Sequence, residues 1–261
     1  MNQLQPYALI TGASNGIGKA MAIVLAKKKY NLLLVARSAD DLSLLAEQLK
    51  EQYQIDVRYL SIDLSGFNSS IEVYKWCSSI TSSLSVLINN AGYGLWGDFE
   101  NLALDEQQNM LRLNINTVVE LSHHLLTLLK QERSAYILNI SSTAAYQAVP
   151  TLALYAASKA FVLSYSRALR YELKDSSISV SCLCPGPTAT GFADRAGMSA
   201  LADLADKFNM TSADVAAIGI KGMFNKKAEI IPGFLNKLSA FGAIHLPKSL
   251  IERITAKLYH R

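Results

Sequence analysis

The stretch Tyr7-Ala-Leu-Ile-Thr-Gly-Ala-Ser-Asn-Gly-Ile-Gly18 decides the fold of this chain. It begins with an apolar run of strand length and continues into a glycine-rich turn, and residues 19–28 then have a helical pattern. Glycines at 12, 16 and 18 let the backbone adopt positive φ and approach a ligand, while the N-terminus of the next helix offers free N–H groups. The order strand, turn, helix predicts a phosphate-binding site, with a merely tight turn as the alternative.

Apolar segments of strand length recur along the chain and alternate with helical patterns. The predicted strands are residues 7–11, 31–36, 57–62, 84–89, 134–140, 178–183 and 229–231. This alternation predicts one α/β domain over residues 1–261, a Rossmann-type, doubly wound parallel sheet of about seven strands with helices on both faces. Ligands bind such a sheet at the carboxyl ends of its strands.

Composition favours a soluble enzyme over a membrane protein or a nucleic-acid-binding protein. The 261 residues are 50% hydrophobic and 18% charged, with a net charge of +4. The apolar runs are too short to span a bilayer and no secretory signal is visible, so we expect a cytoplasmic protein. Three cysteines indicate no disulfide framework, and Cys182 and Cys184 lack further ligands nearby in sequence, so no metal site is predicted. The modest charge argues against a nucleic-acid partner.

A second group of residues points to proton transfer. Tyr155 and Lys159 stand four residues apart, and Ser142 precedes the tyrosine by thirteen residues. On a helix, positions i and i+4 share a face, so the ammonium of Lys159 approaches the phenol of Tyr155 and stabilises its anion. A tyrosine with an ordinary pKa of about 10 transfers protons poorly at neutral pH, and a nearby cation corrects this. The spacing alone is weak support, because it recurs by chance in many helices.

Five motifs in this order together resemble the short-chain dehydrogenase/reductase family. They are Thr-Gly-x-x-x-Gly-Ile-Gly at 11–18, Asn-Asn-Ala-Gly at 89–92, Ser142, Tyr155-x-x-x-Lys159, and Pro185-Gly186 followed by Thr190. The match runs from residue 7 to residue 190 and is most similar to a bacterial branch near 3-oxoacyl and 3-ketosteroid reductases.

The resemblance implies an NADP(H)-dependent oxidoreductase that reduces a carbonyl, or oxidises the corresponding secondary alcohol, by hydride transfer. Ser142 and Tyr155 would bind the substrate oxygen, with Tyr155 as proton donor or acceptor, and Lys159 would also bind the nicotinamide ribose. Ser141 is the rival candidate for the catalytic serine. The alternative function is a non-catalytic sensor or scaffold protein that binds NADP(H).

An asparagine completes the catalytic set that the resemblance implies. Asn114 stands where the family has an asparagine whose backbone carbonyl holds a water beside the lysine, and Asn116 is its rival. An asparagine has modest helix propensity, and a kink or a proton relay would explain its presence in a long helical stretch.

The resemblance also assigns residues to the cofactor. Arg37 and Ser38 end the second strand, where an arginine receives a 2′-phosphate and an acid would bind the 2′-OH, so NADP(H) is favoured and NAD(H) is the alternative. Arg37 would otherwise solvate the next helix, and Asp63 would lie beside the adenine or cap a turn. The predicted cofactor-binding residues are Gly12, Ser14, Asn15, Gly16, Ile17, Gly18, Arg37, Ser38, Asp63, Leu64, Asn90, Ala91, Gly92, Tyr155, Lys159, Pro185, Gly186, Thr188 and Thr190.

Apolar side chains near these motifs predict an apolar or amphipathic small-molecule carbonyl or alcohol as substrate. Residues 190–212 resemble the lid that covers the substrate in the family. The residues near the predicted pocket are Leu95, Trp96, Tyr146, Val149, Phe192, Met198 and Met210, and ordinary core positions are the alternative for most of them.

Two further features concern partners. Residues 221–261 carry eight Lys or Arg and two Glu, and Ile251, Ile254 and Leu258 align on one helical face. This basic C-terminal segment predicts docking on a membrane surface, an acidic carrier or a partner subunit, or else a solvated helix packed on its own domain. The helical stretches 105–130 and 152–174 resemble those that join family members, so we expect a homodimer or homotetramer.

Overall fold

A parallel β-sheet forms the centre of the protein, whose computed structural model describes residues 5–192, 196–197 and 210–259. Seven strands form this sheet in the order β3-β2-β1-β4-β5-β6-β9, and every neighbouring pair is parallel. Strands β7 and β8 pair separately. The strands are β1 (Tyr7–Thr11), β2 (Asn31–Ala36), β3 (Val57–Ser61), β4 (Val86–Asn89), β5 (Ala135–Ile140), β6 (Ile178–Leu183), β7 (Thr188–Ala189), β8 (Met210–Thr211) and β9 (Glu229–Ile230).

Helices cover both faces of the sheet. They are α1 (Gly16–Lys27), α2 (Ala39–Tyr53), α3 (Ser69–Ile80), α4 (Leu104–Leu111), α5 (Thr117–Leu129), α6 (Ala153–Glu172), α7 (Ser212–Phe224), α8 (Phe234–His245) and α9 (Lys248–Tyr259). A π-helical turn, Arg112–Asn116, joins α4 to α5, and a 3₁₀ turn, Thr143–Tyr146, follows β5. The predicted Rossmann-type, doubly wound α/β fold is confirmed.

The apolar strands are explained by burial on both faces. Along β1, Ala8 and Ile10 belong to the core beneath α1, α2 and α7, whereas Leu9 belongs to the core beneath α3, α5 and α6. Successive side chains of a strand point to opposite faces, so a sheet covered on both sides needs apolar residues at every position. This requirement is why continuous apolar runs marked the strands so well.

The strand order places the functional motifs at one edge of the sheet. The chain leaves β1 and β4 towards opposite faces, which opens a crevice between the carboxyl ends of these two neighbouring strands. The glycine-rich turn follows β1, Asn90 follows β4, Ser142 follows β5 and Pro185 follows β6. Motifs that are far apart in sequence therefore meet around one crevice.

The two C-terminal elements of the sequence analysis are described only in part. Of the predicted lid, residues 193–195 and 198–209, including Met198, lie outside the described residues, and so does Arg261. Ile251, Ile254 and Leu258 lie on one side of α9, but only Ile251 is buried. The buried neighbour of Ile251 is Thr255, whose hydroxyl donates to the carbonyl of Ala148 at 3.2 Å. Among the described residues, no helix is long and apolar enough to cross a bilayer.

Candidate active site

The glycine-rich turn after β1 holds the N-terminus of α1 at the crevice. Gly12 and Gly16 have φ of +64° and +55°, in the left-handed region that favours glycine. Gly18 is required for a different reason: a Cβ there would lie 2.2 Å from the carbonyl oxygen of Gly12. The side chain of Asn15 accepts a hydrogen bond from the N–H of Gly16 at 2.7 Å, so α1 begins earlier than the predicted residue 19. Ser14 is half-buried within the turn.

The end of β4 is clamped to the end of β1. The Asn90 amide donates to the carbonyls of Thr11 at 2.9 Å and Gly12 at 3.2 Å, and the Thr11 hydroxyl oxygen accepts the N–H groups of Asn90 and Ala91. These bonds satisfy the polar groups of both strand ends and fix the floor of the crevice. Asn90 therefore has a structural role that needs no ligand.

The residues assigned to the adenosine end lie at the ends of β2 and β3. Arg37 is exposed, and it takes part in neither of the two salt bridges found among the described residues. The Ser38 hydroxyl oxygen caps α2 by accepting the N–H of Asp41 at 3.4 Å, which leaves its own proton to donate. Asp63 caps a turn, because its Oδ1 accepts the N–H and the hydroxyl of Ser65 at 2.9 and 2.7 Å. The capping alternative for Asp63 is thus present in the structure.

Two apolar residues of the predicted cofactor set have different environments. Leu64 is buried, and its carbonyl accepts the hydroxyl of Thr117 at 2.8 Å, which ties the end of β3 to α5. Ile17 is half-buried in the first turn of α1 and packs against the core beneath that helix.

The segment after β6 crosses the crevice towards the glycine-rich turn. The carbonyl of Pro185 accepts the N–H of Thr143 at 2.8 Å, and the Thr188 hydroxyl donates to the carbonyl of Gly186 at 2.9 Å. A Cβ on Gly16 would lie only 3.1 Å from Cγ2 of Thr190. Thr190 therefore packs directly over the turn, so the start of the predicted lid borders the predicted phosphate site.

Lys159 and Tyr155 project from α6 towards the same end of the crevice. Lys159 is buried, its Nζ lies 5.7 Å from the ring centroid of Tyr155, and it donates to the carbonyl of Ile140 at 3.1 Å. Burial lowers the pKa of Lys159 from 10.5 to about 8, because desolvation disfavours the ammonium. Its Nζ would lie 3.3 Å from a Cβ on Gly92, so glycine there permits this approach. A cation of this kind beside a phenol favours proton transfer.

The two rival serines differ in environment. Ser141 is buried, and its hydroxyl donates to the carbonyl of Lys159 at 2.7 Å, which holds α6 against β5. Ser142 is half-buried, and its oxygen accepts the N–H of Ala144 at 3.1 Å. The Ser142 hydroxyl keeps a proton to donate, whereas Ser141 has already donated its proton.

Asn114 lies within the π-helical turn between α4 and α5. Its amide donates to the carbonyl of Tyr93 at 2.9 Å and to the hydroxyl of Ser158 at 3.1 Å, while its Oδ1 accepts the N–H of Tyr93 at 3.2 Å. The rival Asn116 is exposed. A π turn interrupts the regular hydrogen-bond ladder, and such turns occur often at functional sites. The continuous helical pattern over 105–130 did not predict this interruption; the poor helix propensity of asparagine was the only signal.

Tyr146, predicted near the substrate pocket with a core position as the alternative, is buried in a small cluster with residues of β6 and α8. Its hydroxyl donates to Glu229 at 2.7 Å, and Arg167 pairs with the same carboxylate at 2.8 Å. Burial and the neighbouring Cys184 and Glu229 raise the pKa of Tyr146. The residue joins the 3₁₀ turn to β9 and packs beside Cys182, whose Sγ lies 3.9 Å from that of Cys184. No group of three metal-binding side chains occurs in the part of the chain that the structure describes.

The sequence analysis missed Asn236 of α8. A Cβ on Gly186 would lie 2.2 Å from Oδ1 of Asn236, so this amide packs directly on the Gly186 backbone. It is held there by a hydrogen bond from Nδ2 to the carbonyl of Pro232 at 2.8 Å. No local pattern marks such a residue, because the contact joins segments that are far apart in sequence.

Apolar side chains surround Tyr155. Its ring centroid lies 5.3 Å from that of Phe192, and Trp96 and Val149 form a small buried cluster against it. A cavity of about 80 Å³ lies between α4 and the start of α6, and Tyr155 is not among the residues that line it. It is lined by Leu95, Gly97, Asp98, Phe99, Leu102, Gln107, Met110, Thr151, Ala153 and Leu154.

Comparisons with known sequences agree with this geometry. Residues 6–200 match the family profile described as short chain dehydrogenase. The chain is 30% identical over 246 residues to 17-beta-hydroxysteroid dehydrogenase type 3 of Homo sapiens, which covers 92% of this chain and 78% of that protein. It is 31% identical over 226 residues to ketoacyl reductase HetN of Nostoc sp., covering 85% and 77%. It is 36% identical over 183 residues to very-long-chain 3-oxoacyl-CoA reductase of Kluyveromyces lactis, covering 67% and 52%.

Solved structures show the same fold with nicotinamide dinucleotides. A short-chain dehydrogenase from Sphingobium yanoikuyae in complex with NADPH has a TM-score of 0.81 and 27% identity, over 94% of each chain. An alcohol dehydrogenase from Thermococcus sibiricus complexed with 5-hydroxy-NADP has a TM-score of 0.76 and 26% identity, covering 87% of this chain and 95% of that one.

Proposed function

Because the chain belongs to the short-chain dehydrogenase family, and is therefore an oxidoreductase of CH–OH groups with a nicotinamide cofactor, we propose that it reduces the carbonyl of an apolar or amphipathic substrate. The same reaction in reverse would oxidise the corresponding secondary alcohol. The observation that carries this proposal is the buried Lys159 ammonium, 5.7 Å from the ring centroid of Tyr155 at the mouth of the crevice. A structural ion pair would place a carboxylate within hydrogen-bond reach of such a lysine, and neither salt bridge of the described residues involves Lys159.

The crevice fits a dinucleotide. The positive φ of Gly12 and Gly16 and the lack of room for a Cβ at Gly18 form a cradle at the N-terminus of α1, which suits a pyrophosphate. Asp63 would border the adenine, and the segment from Pro185 to Thr190 the nicotinamide. The bound cofactor would supply or accept the hydride at the substrate carbon.

We propose NADP(H) as the preferred form and NAD(H) as the weaker one. Arg37 is exposed at the end of β2, where its guanidinium would meet a 2′-phosphate, and the Ser38 hydroxyl retains a proton for the same group. Bidentate, charge-assisted hydrogen bonds between arginine and phosphate are among the strongest in proteins. The preference therefore rests on Arg37 and Ser38.

In carbonyl reduction, each side chain of the proposed site would have its own role. The hydroxyls of Ser142 and Tyr155 donate hydrogen bonds to the substrate oxygen, and Tyr155 gives its proton to that oxygen as negative charge develops. Lys159 stabilises the resulting phenolate. As the family resemblance implies, the backbone carbonyl of Asn114 would hold a water that returns a proton through Lys159 to Tyr155.

The substrate class follows from the apolar surroundings of Tyr155. Phe192, Trp96 and Leu95 offer contact area without charge, which suits a ketone with a hydrocarbon body. The names of two relatives refer to a hydroxysteroid and to 3-oxoacyl-CoA, and both compounds fit this description. We further propose a cytoplasmic homodimer or homotetramer, formed through the α5 and α6 helices.

The test is NADPH consumption by the purified protein against ketosteroids, 3-oxoacyl thioesters and simple ketones and aldehydes. The Tyr155→Phe variant should lose about 10²- to 10⁴-fold in turnover while it retains NADPH binding, since only the proton donor is removed. Tyr171→Phe, on the exposed side of the same helix, is the matched control and should leave turnover unchanged. Turnover by Tyr155→Phe equal to that of the control would refute the assignment.

A further inference from the structure

Helices α8 and α9 present a large apolar surface to solvent. Phe234, Leu235 and Phe241 are 78, 61 and 60% exposed. More than half of the large apolar side chains that are exposed among the described residues come from these two helices and the turn between them. We call them the α8–α9 surface: Phe234, Leu235, Leu238, Phe241, Ile244, Leu246, Leu250, Ile254 and Leu258. Exposed apolar patches of this extent mark interaction sites in soluble proteins.

The surface is not a by-product of how α8 packs. α8 buries Ala240 and Ala243 against the 3₁₀ turn and β6, and Asn236 lies on the same side. Phe234 and Phe241 stand at helix positions i and i+7, on the opposite side of the helix. A helix that merely covers its own domain would carry polar residues on that outer side.

Cations flank the apolar side chains. Lys237, Lys248, Arg253 and Lys257 are all exposed, and Glu252 is the acidic residue of the two helices. On α9, Arg253 and Lys257 lie one turn apart and border the row formed by Leu250, Ile254 and Leu258. A helix that lies in a membrane interface typically has apolar residues beside Lys and Arg and few Asp or Glu.

We propose that the α8–α9 surface docks the protein on a lipid bilayer that contains anionic lipids. The apolar side chains would enter the boundary between headgroups and acyl chains, and the four cations would meet the negative headgroups. The attachment that we propose is peripheral, through the apolar faces of α8 and α9.

Charge distinguishes the bilayer from the other occupants. In a symmetric contact with a second copy, the same patch meets itself, so two surfaces that each carry four cations and one carboxylate would be brought together. An acidic soluble carrier would neutralise the cations but would leave the exposed phenylalanines against a polar surface. An anionic bilayer satisfies both the charge and the apolar area.

The docked surface lies close to the crevice. Asn236, on the inner side of α8, contacts Gly186 at the predicted nicotinamide end, and an α-helix with its side chains is about 10 Å thick. A substrate that partitions into the bilayer would therefore have a short path to Tyr155. The docking proposal itself does not rest on turnover, so its test is independent of the proposed reaction.

The test is flotation of the full chain with vesicles of phosphatidylcholine alone and of phosphatidylcholine mixed with phosphatidylglycerol. The protein should bind the anionic vesicles, and added salt should weaken binding. The Phe234→Ser/Phe241→Ser double variant should bind about tenfold more weakly or worse. Neutralising Arg253 and Lys257 to Gln should cost about fivefold for each charge at low salt. Leu44→Ser, which alters an exposed apolar residue of α2, is the control and should bind like the wild type.

Circular dichroism checks that each variant is folded. The comparison between the two vesicle types uses the unaltered chain, so it does not depend on the folding of any variant. The proposal is overturned if the unaltered chain does not bind anionic vesicles, or binds both types equally. It is also overturned if the double phenylalanine variant binds like the control. Concentration-dependent dimers that the double variant abolishes, without vesicle binding, would assign the surface to a second copy.

Discussion

Replacing Lys159 with methionine removes a cation that the fold buries at a cost in stability. Lys159 is 5% exposed, and burial lowers its pKa from 10.5 to about 8. Between these two values the unfolded chain binds a proton that the folded chain does not, so wild-type stability rises with pH across this window. Below about pH 8 the buried charge lowers the free energy of unfolding by about 3 kcal/mol, since a tenfold change in proton affinity corresponds to about 1.4 kcal/mol.

Methionine has a similar length and does not titrate, so Lys159→Met removes this pH dependence. The variant also leaves the carbonyl of Ile140 without the hydrogen bond from Nζ, which costs about 1–3 kcal/mol at every pH. The two effects largely cancel at neutral pH. The stability of the wild type relative to the variant should nevertheless rise by about 2 kcal/mol between about pH 7 and about pH 9.5.

The assay is urea unfolding at a series of pH values, followed by tryptophan fluorescence. Lys75→Met, which replaces an exposed lysine of α3, is the matched control and should follow the wild-type pH profile. Parallel profiles for the wild type and Lys159→Met would refute the reasoning, because they would show that Lys159 has the same pKa in both states. Turnover, measured separately, should fall in Lys159→Met and not in Lys75→Met.

Three further substitutions test the site. Gly18→Ala should lower stability by about 1–3 kcal/mol and weaken cofactor binding, because its Cβ would lie 2.2 Å from the Gly12 carbonyl oxygen; thermal unfolding and NADPH titration measure both. Asn114→Ala removes the hydrogen bonds to the Tyr93 backbone and should cost about 1–3 kcal/mol together with a loss of turnover, measured by urea unfolding and steady-state kinetics. Arg37→Asp should weaken NADPH binding about 10- to 100-fold with little effect on NADH, measured by calorimetric titration of both.

Each of these substitutions has a control or a contradicting result. Gly242 lies within α8, and a Cβ there would be 3.7 Å from the nearest atom, in the side chain of Leu246. Gly242→Ala should therefore be neutral or stabilising by up to about 1 kcal/mol. If Gly18→Ala were as stable as Gly242→Ala, the glycine-rich turn would not require a residue without a Cβ at position 18. Equal losses of NADPH and NADH affinity in Arg37→Asp would show that the guanidinium does not contact a 2′-phosphate. Full turnover in Asn114→Ala would exclude a role for the π turn in catalysis.

The sheet was predictable because its signals are local. The predicted strands 31–36 and 178–183 coincide with β2 and β6, and 84–89 exceeds β4 by two residues at its start. The continuous apolar run of β2 and the alternating apolar residues of β6 are both visible in a short window of sequence. The π turn in 112–116 could not be predicted in this way, because reciprocal hydrogen bonds tie Asn114 to Tyr93, which is distant in sequence.

The sequence by itself determined the fold class and the set of motifs, since residue type and spacing specify strands, turns and the phosphate cradle. Only the tertiary structure showed that Ser141 is buried with its hydroxyl bonded to the Lys159 carbonyl, that Tyr146 is bonded to Glu229, and that Asn236 contacts Gly186. It also decided that the apolar side chains of α8 face solvent while its alanines are buried. The physical reason is that burial, pKa and exposure depend on which distant segments pack together, and no local pattern encodes those neighbours.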